Sequence, residues 1–145
     1  LRRDDNTAPK PLHYRWADTY RSLQALATTP GDPYDGVALD YVNPLTGGST
    51  LPTLTCRTQM LRPGERTRAH RHNSTSIYHV FRGGGVTVIN GKSQEWSKGD
   101  TFIVPLWSWH EHANRSGIEE AILFSMHDIP VLEAFGLHRQ EPMQV

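Results

Sequence analysis

Three histidines in this chain have the types and spacing of a mononuclear metal site. His70 and His72 end the stretch Gly64-Glu-Arg-Thr-Arg-Ala-His-Arg-His72, and His110 ends Gly99-Asp-Thr-Phe-Ile-Val-Pro-Leu-Trp-Ser-Trp-His110, with Asn114 following. Alternate side chains of a strand share a face, so His70 and His72 are expected to point the same way. A third imidazole from a distant strand completes one face of a metal and leaves the opposite face open. Open positions are what a catalytic metal needs and a structural one lacks. The ligands must be neutral, so binding is expected to fail as pH falls toward the histidine pKa. A lone histidine on a strand is more often a hydrogen-bonded polar residue, but three in this pattern point to ligands.

The same alternation nominates neighbours. If His70 and His72 face inward, Arg66 and Arg68 should too, and an inward arginine can clamp a carboxylate through two parallel hydrogen bonds. The competing reading makes Arg57, Arg62, Arg66, Arg68, Arg71 and Arg82 mostly a solvated barrel face, favoured for most of them and evenly balanced for Arg68. On the next strand Ser76, Tyr78, Val80 and Arg82 share a face opposite Ile77, His79 and Phe81. Tyr78 is a candidate hydrogen-bond donor to substrate or oxygen, or a packed ring with a satisfied hydroxyl. His112 has the parity of His110 and is a candidate to bind, to shuttle a proton or to orient a ligand. Trp107 and Trp109 either wall a flat aromatic substrate or belong to ordinary packing. His13, His127 and His138 carry no pattern.

The elements that position these residues read as mostly β. Candidate strands are Val37–Val42, Leu54–Leu61, Thr67–His72, Ile77–Arg82, Val86–Ile89, Gln94–Trp96, Thr101–Val104, Trp109–Ala113 and Ala121–Ser125. Asn90-Gly91 between two of them is a hairpin signal, and Gly83-Gly84-Gly85 marks a sharp bend. Short strands at regular spacing indicate a sandwich or barrel. Trp16, Tyr20, Leu23 and Leu26 fit one face of a helix from about Leu12 to Leu26, stopped by Thr29-Pro-Gly-Asp-Pro33. A short helix is expected from Pro130 to Phe135. Residues 1–11 read as a mobile lead-in, 1–35 as lead-in plus helix, and 36–145 as the β-domain.

At 145 residues the chain has room for one domain with a real core. Fifteen basic residues balance fifteen acidic ones, which argues against nucleic acid or a membrane surface as the main partner. The single cysteine, Cys56, excludes an internal disulfide and reads as a small buried hydrophobe. With no apolar run near a membrane span and no signal-peptide pattern, the default location is the cytoplasm. A start at Leu1 rather than methionine leaves room for a longer polypeptide.

These residues resemble the cupin superfamily, whose first motif is commonly G-x5-H-x-H-x3,4-E-x6-G. Gly64, His70, His72 and Gly83 fit it, with Ser76 or Ile77 at the glutamate position. The second motif, G-x5-P-x-G-x2-H-x3-N, fits Gly99, Pro105, His110 and Asn114, with Trp107 where glycine is usual. A narrower likeness, from about Pro11 to Glu141, is to the gentisate 1,2-dioxygenase family, two-cupin iron enzymes with three histidines and no glutamate. Tyr41-Val-Asn-Pro-Leu-Thr-Gly-Gly48, Trp107-Ser-Trp-His-Glu-His-Ala-Asn114 and the segment Phe124–Gly136 look like that family, and more like its C-terminal half. The resemblance implies an all-β cupin barrel and Fe(II) on His70, His72 and His110, with zinc or manganese as alternatives. It also implies cleavage of a hydroxylated aromatic carboxylate with O₂, between the carboxyl-bearing and hydroxyl-bearing carbons. Tyr78 and His112 would then move protons or position oxygen. The family's carboxylate-binding arginine, six residues past the second histidine, is Tyr78 here, so Arg68 or Arg82 would take over that role. Two other readings compete: a non-catalytic cupin half whose work is assembly with a second cupin domain or another copy, and a zinc or manganese isomerase or hydrolase.

Overall fold

The computed structural model describes residues 12–144, so the expected lead-in over residues 1–11 lies outside them. The strands are β1 (Val37–Asp40), β2 (Thr55–Leu61), β3 (His70–His72), β4 (Ser76–Arg82), β5 (Gly84–Ile89), β6 (Lys92–Ser97), β7 (Thr101–Val104), β8 (His110–Asn114), β9 (Ala121–His127) and β10 (Gln140–Pro142). The helices are α1 (Trp16–Leu26) and α2 (Ile129–Ala134). One antiparallel sheet has the order β1-β2-β9-β4-β7 and the other β10-β3-β8-β5-β6. Among the described residues no helix is long and apolar enough to cross a membrane.

Period-two alternation builds the interior. In β4, Ser76, Tyr78 and Val80 are buried while Ile77, His79 and Phe81 are exposed. Leu61, Val80, Trp96, Phe102, Val104 and Leu123 close one end of the space between the sheets. The β5–β6 hairpin turns at Asn90 (φ 48°) and Gly91 (φ 80°), the pair of positive φ angles that a type I′ turn requires.

Helix α1 covers the outer face of the first sheet. Its fully buried Leu23 packs with Val37, Met60 and Ile122, with Trp16 and Tyr20 alongside. The Arg62 guanidinium donates to the carbonyls of Ala27 (3.1 Å) and Thr29, supplying partners that carbonyls at a helix C-terminus lack.

Three departures from the sequence reading bear on the site. The expected strand Thr67–His72 pairs regularly only over His70–His72, with an isolated bridge from Arg66 to Ala113. Thr67 is buried there and Arg66 and Arg68 are exposed, so the inward placement of both arginines is corrected. Thr67 is held by β8, its amide donating to the His112 carbonyl (2.9 Å) and its hydroxyl accepting from the His112 amide (3.0 Å). Second, β9 runs on to His127. Third, the polar β10 pairs with β3, Gln140 opposite His72 and Pro142 opposite His70, without any apolar alternation to announce it.

Truncating Leu23 to alanine should cost about 2–5 kcal/mol, the usual range for a fully buried leucine, measured as a lowered urea midpoint. A change within error would show that α1 is not part of the cooperative unit.

Candidate metal centre

The β3–β8 register sets His70 directly opposite His110, and His72 joins them one pleat further along β3. Ring centroids lie 4.3 Å apart for His70–His110, 5.0 Å for His72–His110 and 5.6 Å for His70–His72. One nitrogen of each comes within 4.8 Å of the others, and all three rings are buried.

Hydrogen bonds outside the cluster orient two of these rings. His110 Nδ1 lies 2.9 Å from the Ser108 carbonyl, and His72 Nδ1 lies 2.9 Å from the Ser74 carbonyl and 2.8 Å from the Ser74 hydroxyl. A carbonyl only accepts, so His110 Nδ1 carries the proton and its Nε2 keeps the lone pair. His110 Nε2 is buried without a partner. An unpartnered nitrogen within this cluster of neutral rings fits a metal ion, and an all-imidazole set suits zinc and iron. Burial lowers each pKa to about 4, reinforced by a neighbouring histidine: His72 for His70, His110 for His72 and His70 for His110. The rings are therefore neutral near pH 7.

The first sheet supplies the opposite wall. Ser76, at the motif's glutamate position, is fully buried and bonded to His127 Nδ1 (2.7 Å), while His127 Nε2 bonds Ser125 Oγ (2.8 Å). The His127 ring lies 6.2 Å from that of His72, and burial, then the Arg57 charge, lowers its pKa to about 3. Tyr78 stacks on Phe102 (5.1 Å) and lies 4.9 Å from the His112 ring. Burial and the Asp35 charge push its hydroxyl pKa up, so it stays protonated. His112 is fully buried, 5.7 Å from the His110 ring, with Nδ1 on Thr87 Oγ1 (2.8 Å) and Nε2 unpartnered. Asn114 is a tie within the fold, its amide donating to the carbonyls of Leu61 (3.2 Å) and Glu119 (2.7 Å).

Other nominated residues lie elsewhere. Arg68 is exposed, and its amide donates to the Pro33 carbonyl (2.7 Å). A bulge between Val80 and Arg82 shifts the register, and the Arg82 guanidinium donates to Glu120 (2.6 Å) and lies over Tyr20 (4.8 Å) on α1. Trp107 and Trp109 sandwich the Arg71 guanidinium at 4.4 and 4.5 Å. Arg71 sits between His70 and His72 and so points to the other face of β3, which puts both indoles outside the barrel.

Four residues around the triad, His127 above and Arg57, Gln59 and Tyr34, carried no sequence assignment to the site. Arg57 pairs in register with Ser125, which pairs with Tyr78, so Arg57 shares their face. Its guanidinium donates to Asp40 (2.7 Å) and Asp35 (2.7 Å) beside a cleft of about 300 Å³ lined also by Asp32. Gln59, on the same face, is 1% exposed with neither amide atom partnered. Tyr34 sets its ring edge-on to His70 at 5.5 Å. Alternation along Leu123, Ser125 and His127, and along Arg57, Gln59 and Leu61, was the available signal; Tyr34 sits in a loop and had none.

Two facing antiparallel sheets with an imidazole triad on one inner face define a cupin, and the chain is one. A family profile described as a cupin domain matches residues 57–127. The chain is 46% identical over 140 residues to a 5-aminosalicylate 1,2-dioxygenase of Comamonas sp., an alignment covering 94% of this chain and 37% of that protein. It is 40% identical over 135 residues to a gentisate 1,2-dioxygenase of Haloferax sp., covering 92% and 36% respectively. The crystal structure of a salicylate 1,2-dioxygenase from Pseudoaminobacter salicylatoxidans with gentisate superposes with a TM-score of 0.80 at 33% identity, covering 91% of this chain and 37% of that one. The chain thus spans little more than a third of the length of these relatives.

The depressed pKa values fix a pH dependence for the metal-free protein. Each ring titrates near 4 when folded and near 6.5 when free, so between those values the unfolded chain binds more protons. Stability should therefore be full above about pH 6.5 and fall as pH drops toward 4. Urea midpoints across that window should show a slope that His72→Gln reduces; a flat profile would contradict neutral buried imidazoles.

Proposed function

We propose that this cupin is, or is part of, a non-haem Fe(II) dioxygenase that opens the ring of a hydroxylated aromatic carboxylate such as gentisate or salicylate. The observation that carries this reading is the all-imidazole triad with Ser76, not a carboxylate, beside it. Neutral ligands leave the full double charge of the ion to attract an anionic chelator. Iron(II) held by His70, His72 and His110 would supply a cation for carboxylate and phenolate oxygens, together with electrons for O₂.

The remaining chemistry belongs to the chain. Tyr78 stays protonated and donates to an oxygen placed before it. His112 faces the same space and can hold or move a proton at Nε2. Arg57, rather than Arg68 or Arg82, is the cation on the interior face; it would exchange an aspartate partner to hold a substrate carboxylate, and the unpartnered Gln59 amide can meet a ring substituent. The leucine, valine and aromatic residues at the closed end exclude water behind the substrate.

We place this activity in the cytoplasm, with residues 36–145 as the cupin unit. The greater length of the relatives favours work alongside a second cupin domain or another copy of the chain. Anaerobic addition of gentisate or salicylate to the ferrous protein should perturb the iron spectrum, and admitting air should give oxygen uptake. His112→Ala should retain iron and lower kcat about 10²–10⁴-fold, the range for loss of a positioned proton donor. Iron-loaded protein that shows neither perturbation nor uptake with either acid would overturn the dioxygenase reading. Retention of zinc through purification, with oxygen-independent turnover, would favour an isomerase or hydrolase.

A further inference from the structure

Two histidines on one short strand meet opposite kinds of hydrogen-bond partner. His110 Nδ1 faces a backbone carbonyl, whereas His112 Nδ1 faces the Thr87 hydroxyl at 2.8 Å. The Trp96 indole Nε1–H donates to that same hydroxyl at 2.9 Å. An indole N–H can only donate, and a threonine hydroxyl has a single hydrogen to give. Among the described residues Trp96 and His112 are the side-chain partners recorded for Thr87 Oγ1. If His112 Nδ1 also carried a proton, two N–H groups would converge on the oxygen and its own hydrogen would have no recorded acceptor. The hydroxyl therefore gives its hydrogen to Nδ1, and the ring proton sits on Nε2.

We propose that Thr87 and Trp96 are positioning residues that lock His112 as the Nε2–H tautomer, making it a hydrogen-bond donor aimed at an anionic oxygen of the ligand bound opposite the imidazole triad. Its Nε2 is buried and unpartnered, so the donor waits for an acceptor from outside the fold. Trp96 is 4% exposed and Thr87 and His112 are fully buried, so water does not compete along the relay. The backbone is shaped to hold it: a β-carbon on Gly85 would lie 2.3 Å from the Ala113 carbonyl and 2.5 Å from the Trp96 ring. The other tautomer would present a lone pair to an anion and repel it. Only the identity of the acceptor, a carboxylate or phenolate oxygen, rests on the dioxygenase reading.

Long-range proton–nitrogen NMR correlation on metal-free protein labelled with 15N-histidine reads each ring nitrogen directly. The expected result is a proton on Nε2 of His112 and on Nδ1 of His110. Trp96→Phe frees the hydroxyl to accept and should give His112 a mixture of tautomers. Thr87→Val should do the same, while Thr87→Ser keeps the wild-type pattern. In the iron-loaded protein Thr87→Val should raise KM for the anionic ligand roughly twofold to tenfold, because the donor tautomer becomes only part of the population, and Thr87→Ser should restore it. A wild-type His112 protonated on Nδ1, or a Trp96→Phe spectrum identical to wild type, would overturn the proposal. The tautomer is read without iron or substrate, so the expected pattern in a protein without turnover would support the relay and count against the dioxygenase reading alone.

Discussion

The pairing of β3 with β8 is the constraint on which the site depends, because it places His70 across from His110 within reach of one ion. β3 has only three residues, and its outer face does much to keep it in place. Arg71 lies between the Trp107 and Trp109 rings and donates to Glu141 on β10 at 2.7 Å. Each cation–π contact contributes about 0.5–1 kcal/mol at such a site. The residue between two ligands thus fastens the strand from outside while the ligands look inward. Tryptophans that sequence spacing offers as pocket walls serve the site at one remove.

Burying so many imidazoles works only because they are neutral and their nitrogens are individually managed. Desolvation is the leading cause of every lowered histidine pKa in the barrel. His127 has both nitrogens bonded to serines, whereas His110 and His112 each keep Nε2 buried and free. A free buried polar atom costs stability unless something binds it, and these two lie where a metal and its ligand would satisfy them.

Much of the fold was legible because strands with one buried face alternate. The β4 pattern, the Asn90-Gly91 hairpin and the helix around Leu23 follow from local spacing, and the structure shows each. Alternation failed where the ladder did. Arg66 and Arg68 precede the regular pairing of β3, and the bulge after Val80 turns Arg82 toward α1. His127 was passed over because apolar residues thin out toward the end of β9, although the ladder continues. β10 is polar and short, and only its partner makes it a strand.

Residue order alone was enough to assign the triad and the cupin class, since His-x-His needs only the two-residue period of a strand and the motifs lie in contiguous segments. Parity along one strand placed Tyr78, but it could not say which other residues face the triad. Arg57, Gln59 and His127 come from strands distant in sequence, and registers and bulges decide which face each occupies. Nor could it say which nitrogen of each ring carries a proton. That depends on whether a carbonyl or an already committed hydroxyl meets Nδ1, and buried neighbours on other strands exist only in the folded chain.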